Sequence, residues 1–239
     1  EEPNSPSAQT GITSTAFYTG LSYETKFNTP IIISGRLFYG LPHSNNGAGG
    51  GYVCVDLRTG NQIWWQNWTV LPTFGVILNF DSPNQHGSIA YLVAPQTVSN
   101  AITWQMFDPV DGTWVFNMTN VPSGTQFYGK SGEILILQVD FANRWMALWN
   151  STACGQQGQD PNGADWGSWG RIVQQRTLDA SNPASYSWNV TIPAGIQTSL
   201  SFFTPIMKVY NEDRAMGVYF NQTHVRVWAL NIAGLTKSS

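Results

Sequence analysis

The chain has 239 residues, a formal net charge of −3 and 10% charged residues, against about a quarter in an ordinary soluble protein. Its 42% hydrophobic content and 11 tryptophans exclude a disordered chain, and its eleven scattered Lys and Arg form no basic patch for nucleic acid or anionic lipid. The length suits one sizeable all-β domain or two small ones, and no apolar run reaches the ~18 residues of a membrane-spanning helix.

In chain order, residues 1–13 open on Glu1-Glu2-Pro3-Asn4-Ser5-Pro6 and read as a linker or a processed terminus. Residues 14–239 read as β throughout. A lead-in strand around Phe17-Tyr18 precedes a hairpin at Pro30–Tyr39, which turns at Ser34-Gly35. A Gly/Asn-rich loop, His43–Gly51, leads into Tyr52–Trp65. That stretch alternates apolar and polar residues, turns at Arg58-Thr59-Gly60 and alternates again. A second four-stranded unit is expected at Phe74–Leu78, Ile89–Val93, Ile102–Phe107 and Thr113–Asn117, with a loop from Asp81 to Gly87. A third takes Gln126–Tyr128, Glu133–Phe141 and Arg144–Trp149. Residues 152–170, rich in Gly, Gln, Asp and Asn, read as an inserted loop. A fourth unit is expected at Tyr186–Ile192, Met207–Tyr210, Met216–Phe220 and Val225–Ile232, with a further candidate strand at Leu200–Thr204. No stretch carries a sustained helical period with caps.

The Tyr52–Trp65 hairpin recurs in weaker form. Asp56 and Asp108 lie 52 positions apart, as do Gly60 and Gly112, with Phe116 standing where Trp64 stands. A third, incomplete copy runs through Trp228, Asn231 and Gly234. Repeats of about 40–50 residues built from short strands are the pattern of propeller blades. The run small-x-Asp-x-x-Thr-Gly-x-x-x-Trp, filled by Cys54, Asp56, Thr59, Gly60 and Trp64, resembles the tryptophan-docking motif of quinoprotein-type (PQQ-like) β-propellers. The segments SYETKFNTPIIISGRLFYG, GGGYVCVDLRTGNQIWWQN, SPNQHG and TNVPSGTQFYGKSGEILI resemble large archaeal extracellular members of that group. The resemblance implies an all-β propeller of four-stranded antiparallel blades. About four blades are expected here, the last one incomplete. The rest of a longer chain, or another subunit, would then complete the ring.

Function is less legible. Asn67, Asn117, Asn150, Asn189 and Asn221 each begin an N-x-S/T sequon, so N-linked glycans are expected if the chain is displayed outside the cell. His43, His86 and His224 lie far apart in sequence without metal-ligand spacing, and no metal site is expected. Asp160 and Asp165 do not match a calcium loop. The 14 carboxylates include no motif that pairs two for acid–base work, and so low a carboxylate content leaves few groups to titrate between about pH 3 and 6, so little stability is expected to be lost there. No catalytic or cofactor-binding residue emerges, and adjacent cysteines, common in quinone-dependent dehydrogenases of this group, are missing. Cys54 and Cys154 are either a disulfide or two free thiols. Trp166 and Trp169, in the inserted loop, are candidates for contact with a ligand or partner, or anchors of that loop. The leading expectation is a non-enzymatic secreted or cell-surface component acting in adhesion, surface-layer or filament assembly. The alternatives are a carbohydrate-binding module, or part of an extracellular carbohydrate-active enzyme, and then a quinone-dependent dehydrogenase.

Overall fold

The computed structural model describes residues 30–41, 51–68, 70–82, 85–156, 177–196, 206–220 and 222–235. The first sheet is a meander of β1 (Ile31–Ile33), β2 (Arg36–Gly40), β3 (Tyr52–Asp56) and β4 (Gln62–Gln66), each antiparallel to the next. Ser34 and Gly35 make its first turn, at φ 52° and 72°. Two consecutive positive φ values match the twist of the flanking strands, and glycine takes such a value without strain.

The second sheet is built from β5 (Phe74–Ser82), β6 (Gln85–Val98), β7 (Ala101–Phe107) and β8 (Trp114–Thr119). The expected loop at 81–87 is mostly ladder, because β5 and β6 stay paired as far as Ser82 and Gln85. A polar cross-strand bond, Ser88 Oγ to Asn79 Oδ1 at 2.8 Å, supports pairing beyond the apolar part of each strand. His86, expected in a turn, therefore sits on β6 opposite Asp81.

The third sheet opens with β9 (Thr125–Tyr128), β10 (Ile134–Asp140) and β11 (Trp145–Asn150). A short helix, α1 (Ser151–Gly155), follows directly. It is too short to carry a helical period, and it shortens the inserted loop at its N-terminal end. Asn150 caps it: the side-chain oxygen accepts from Thr152 N at 2.8 Å and Ala153 N at 3.3 Å. A strand not anticipated, β12 (Thr177–Asp179), then adds to the second sheet, parallel to β8. Next, β13 (Tyr186–Thr191) pairs with β11 and completes the third sheet. Tyr186–Ile192 was expected to open the fourth unit. Pairing Trp188 with Leu148 and Val190 with Met146 instead buries Trp188 beside the third sheet's own apolar face. The fourth sheet contains β14 (Ile206–Tyr210), β15 (Arg214–Phe220) and β16 (Val225–Asn231) among the described residues.

The sheets pack in sequence order through three apolar clusters. Ile31, Phe38, Tyr52 and Cys54 of the first meet Leu92, Ala94 and Phe107 of the second. Val76, Leu78, Met106, Phe116 and Met118 of the second meet Ile134, Ile136 and Trp149 of the third. Leu135, Leu137, Leu148 and Trp188 of the third meet Val209, Ala215 and Ile232 of the fourth. Each fully buried side chain of this size contributes about 1.5–3 kcal/mol of transfer free energy. The first strands of the sheets are neighbours in turn: β1 touches β5, and β9 touches β14. Tyr128 Oη donates to Gly75 O at 3.0 Å and Ile77 N to Gly132 O at 3.0 Å, linking β5 to β9 and its following turn. Several small antiparallel sheets stacked in order, first strand beside first strand, are consistent with blades. Among the described residues no helix is long and apolar enough to cross a membrane.

Candidate functional site

The turn after β3 is built on one carboxylate. Asp56 Oδ1 accepts from Arg58 N at 2.9 Å, Thr59 N at 2.8 Å and Thr59 Oγ1 at 3.1 Å. The backbone closes with Gly60 N donating to Asp56 O at 2.8 Å and Asp56 N to Asn61 O at 2.9 Å. Gly60 takes φ 74°. The Thr59 backbone N–H is the first cause holding the Asp56 carboxyl below its ordinary value, with the Thr59 hydroxyl next.

The copy after β7 has the same backbone. Gly112, at φ 75°, donates to Asp108 O at 2.8 Å, and Asp108 N donates to Thr113 O at 2.8 Å. Its carboxylates divide the work differently. Asp108 accepts from Val110 N at 2.7 Å, while Asp111 takes Thr113 N at 2.9 Å and Thr113 Oγ1 at 2.7 Å.

The first sheet docks onto this second turn. The Trp64 indole N–H donates to Pro109 O at 3.2 Å, and the Arg36 guanidinium donates to the same oxygen at 2.8 Å. Gln66 Nε2 donates to Asp111 O at 3.3 Å. A Cβ on Gly112 would stand 3.0 Å from Gln66 Cγ and 3.4 Å from the Trp64 ring, so glycine lets the turn lie under the indole. Phe38 and Trp68 pack against Trp64 with ring centroids 5.7 and 5.6 Å away. Cys54 lies opposite Trp64 on the ladder and is fully buried.

Phe116 and the residues of the first turn, Asp56, Thr59 and Gly60, behave differently from the docking expectation. Phe116 does not lie on a turn. It is fully buried between the second and third sheets, edge-on to Tyr91 at 5.2 Å. The Asp56–Gly60 turn, built like the one that receives Trp64, faces solvent. Leu57 is 48% exposed, and a Cβ on Gly60 would meet nothing within 4 Å.

Cys54 and Cys154 are free, buried thiols in different clusters, so the disulfide alternative is not formed. Burial raises both, Cys154 to about 12. Two further Asp turns went unread. Asp140 accepts from Asn143 N at 2.9 Å, and Asp179 from Ser181 N at 3.0 Å. The Asp140–Asn143 spacing repeats that of Asp56–Thr59 and was available as a signal.

The sequons separate by environment. Asn67 and Asn189 are exposed. Asn117 accepts from the Trp114 indole at 2.8 Å, and its partner Thr119 donates to Leu178 O at 3.3 Å. Asn150 serves as the helix cap. Asn221, Trp166, Trp169, Asp160, Asp165 and His43 lie outside the described residues. Among the described residues no three His, Cys, Asp or Glu side chains converge as metal ligands. A cavity of about 370 Å³ opens where the first strands meet, lined by Ile31–Ile33, Phe74–Ile77 and Tyr128. No protein-family model matches the chain, and no curated protein matches its sequence.

Proposed function

We propose that this chain is a section of an extracellular quinoprotein-type β-propeller that serves as a structural, adhesion or assembly component rather than as a catalyst. One observation carries the proposal. A turn that receives the neighbouring sheet's Trp64 occurs twice, and the first copy, Asp56–Gly60, stands open. A docking turn of this build suits a tryptophan from a preceding blade. At the far end one part of the fourth sheet's outer face is apolar: Val225 and Val227 are 72% and 67% exposed beside Phe220, and Met207 at the β14 irregularity is 62% exposed. Further along the same face lie exposed Lys208, Tyr210 and Arg214. An exposed apolar patch rimmed by polar residues favours a covering partner. The occupant is another antiparallel sheet of the same type, from the rest of a longer chain or from another subunit, because the face-to-face seams among the described residues are made that way.

Replacing Val227 by Glu places a charge on this face. In material purified from its source, the assembled species should be lost while the isolated chain keeps its stability within about 0.5 kcal/mol. Size-exclusion chromatography with light scattering reads the first, and denaturant titration the second. An unchanged assembly would sink the proposal.

A further inference from the structure

On the third sheet a cleft of about 390 Å³ is lined by Gln138, Trp145, Ala147, Ser181, Tyr186 and Asn189, with Trp188 also on its wall. The register builds it. Ala147 lies opposite Gln138 on one side and Asn189 on the other, and Trp145 lies opposite Thr191 in the next row. Residues paired across neighbouring strands share a face, so these five side chains lie on one side of the sheet. Ala147 is the small residue of that row. It is buried and leaves a hollow beside the bulky Trp145. Asp140 lies opposite Trp145 on the other side, and its carboxyl is held below its ordinary value first by the Asn143 backbone N–H and side chain. Ser181 joins from the turn after β12. That turn is fixed in its own right, because the Ser181 hydroxyl donates to Asp179 at 2.7 Å.

None of the lining residues carries a charge. Two partly exposed aromatic rings, two primary amides and a hydroxyl converge on a hollow of ligand-pocket size. A pyranose ring has one apolar C–H face and a rim of neutral hydroxyls. It can lay the face on an aromatic ring and offer the rim to amides that both donate and accept. We infer that this cleft is a sugar-stacking site for a neutral pyranose, with Trp145 and Tyr186 as the stacking surfaces and Gln138 as the hydroxyl partner. The sugar has two possible sources. Asn189 is itself an exposed sequon residue on the cleft wall, and the sequon's Thr191 stands opposite Trp145. A glycan attached to Asn189 would place its first ring at the hollow. A free or partner-borne neutral glycan would enter from solvent.

Two arms of one experiment separate the sources. In the first, the protein is made in a glycosylating host and thermal melts are taken of wild type, Thr191→Ala, Trp145→Ala and the double variant. The attached glycan is expected to raise the melting temperature of wild type, and Trp145→Ala to erase that gain. In the second, unglycosylated protein is titrated with glucose, galactose, mannose, N-acetylglucosamine and cellobiose, followed by tryptophan fluorescence. Binding is expected at millimolar or tighter concentration, weakened at least about tenfold by Gln138→Ala. If Trp145→Ala does not fold, Trp145→Phe keeps a stacking ring and should retain the glycan-dependent gain, whereas Gln138→Ala should still weaken saccharide binding. A glycan gain that depends on Trp145 assigns the site to the protein's own glycan. Saccharide binding that depends on Gln138 assigns it to an external one. If Asn189 is not occupied in the host, the second arm decides alone. No glycan-dependent gain, together with no saccharide binding up to about 10 mM, overturns the inference.

Discussion

Two glycines in equivalent turns test whether Trp64 docks as described. Gly60 and Gly112 both sit at positive φ, so alanine strains either one. Gly112 also has the Gln66 side chain and the Trp64 ring against it, and Gly60 has open space. Gly112→Ala should therefore cost about 1–3 kcal/mol more than Gly60→Ala in denaturant titration, the usual size of an overpacking penalty. Equal costs would mean that the seam yields freely. Among the described residues, four carboxylates held by hydrogen bonds contribute to the pH dependence. Asp56, Asp111 and Asp140 are lowered first by backbone N–H bonds, and Asp179 first by the Asn120 side chain. A folded value below the unfolded one of about 3.9 means that the unfolded chain binds more protons in acid. Their stabilisation is complete above about pH 5 and is lost as the pH falls through the folded values. The melting temperature should stay level from pH 7 to 5 and fall below about pH 4. A steep loss between pH 6 and 5 would implicate other groups. The cysteines should resist thiol reagents at neutral pH in the folded protein and react after denaturation, because burial keeps both protonated and covered. Rapid labelling of either one without denaturant would contradict their placement.

At the scale of elements, the sequence disclosed what is local. The Ser34-Gly35 turn, the Asp56–Gly60 turn and the β10–β11 hairpin all combine alternation with residues that can occupy the turn. Each strand's partner is its chain neighbour, so the pattern suffices. Pairings that skip along the chain were not legible. Three-residue β12 has too little pattern to be read, and its partner β8 lies 60 positions earlier at Thr177 and Asn117. β13 alternates like any strand, yet nothing local says that it belongs to the third sheet. Its assignment follows from the burial gained against Leu148 and Met146. The helix at Ser151–Gly155 is too short to show a period. Its capping Asn150 was read as the start of a sequon, and both uses share the residues Asn-Ser-Thr. The structure bears on that choice. Tryptic peptide mapping of secreted material should find glycan at Asn67 or Asn189 ahead of Asn117 and Asn150, whose side chains are engaged in the fold. Full occupancy at Asn150 with Asn189 bare would reverse that order.

At the scale of the molecule, the same interaction is repeated: an apolar sheet face laid on the next, with an indole seated on a glycine turn at the first seam. The docking motif and the 52-residue spacing foretold several small, mostly antiparallel sheets, which are consistent with blades. An unfinished last unit was expected, but the open Asp56–Gly60 turn was not, because only a three-dimensional neighbour distinguishes a covered turn from an open one. The site chemistry was less legible than the fold for a related reason. The cleft beside Trp145 gathers residues from β10, β11, β13 and the turn after β12, and no motif links them in sequence. The most direct test of the account is hydroxyl-radical footprinting of the protein as isolated from its source, compared with the isolated 239-residue chain. Leu57, Met207 and Tyr210 are the reporters, one on the open turn and two at the fourth sheet's exposed side. The account predicts that all three are oxidised in the isolated chain and protected in the native material. Equal oxidation in both would show that these surfaces stay bare, and the assembly role would be contradicted.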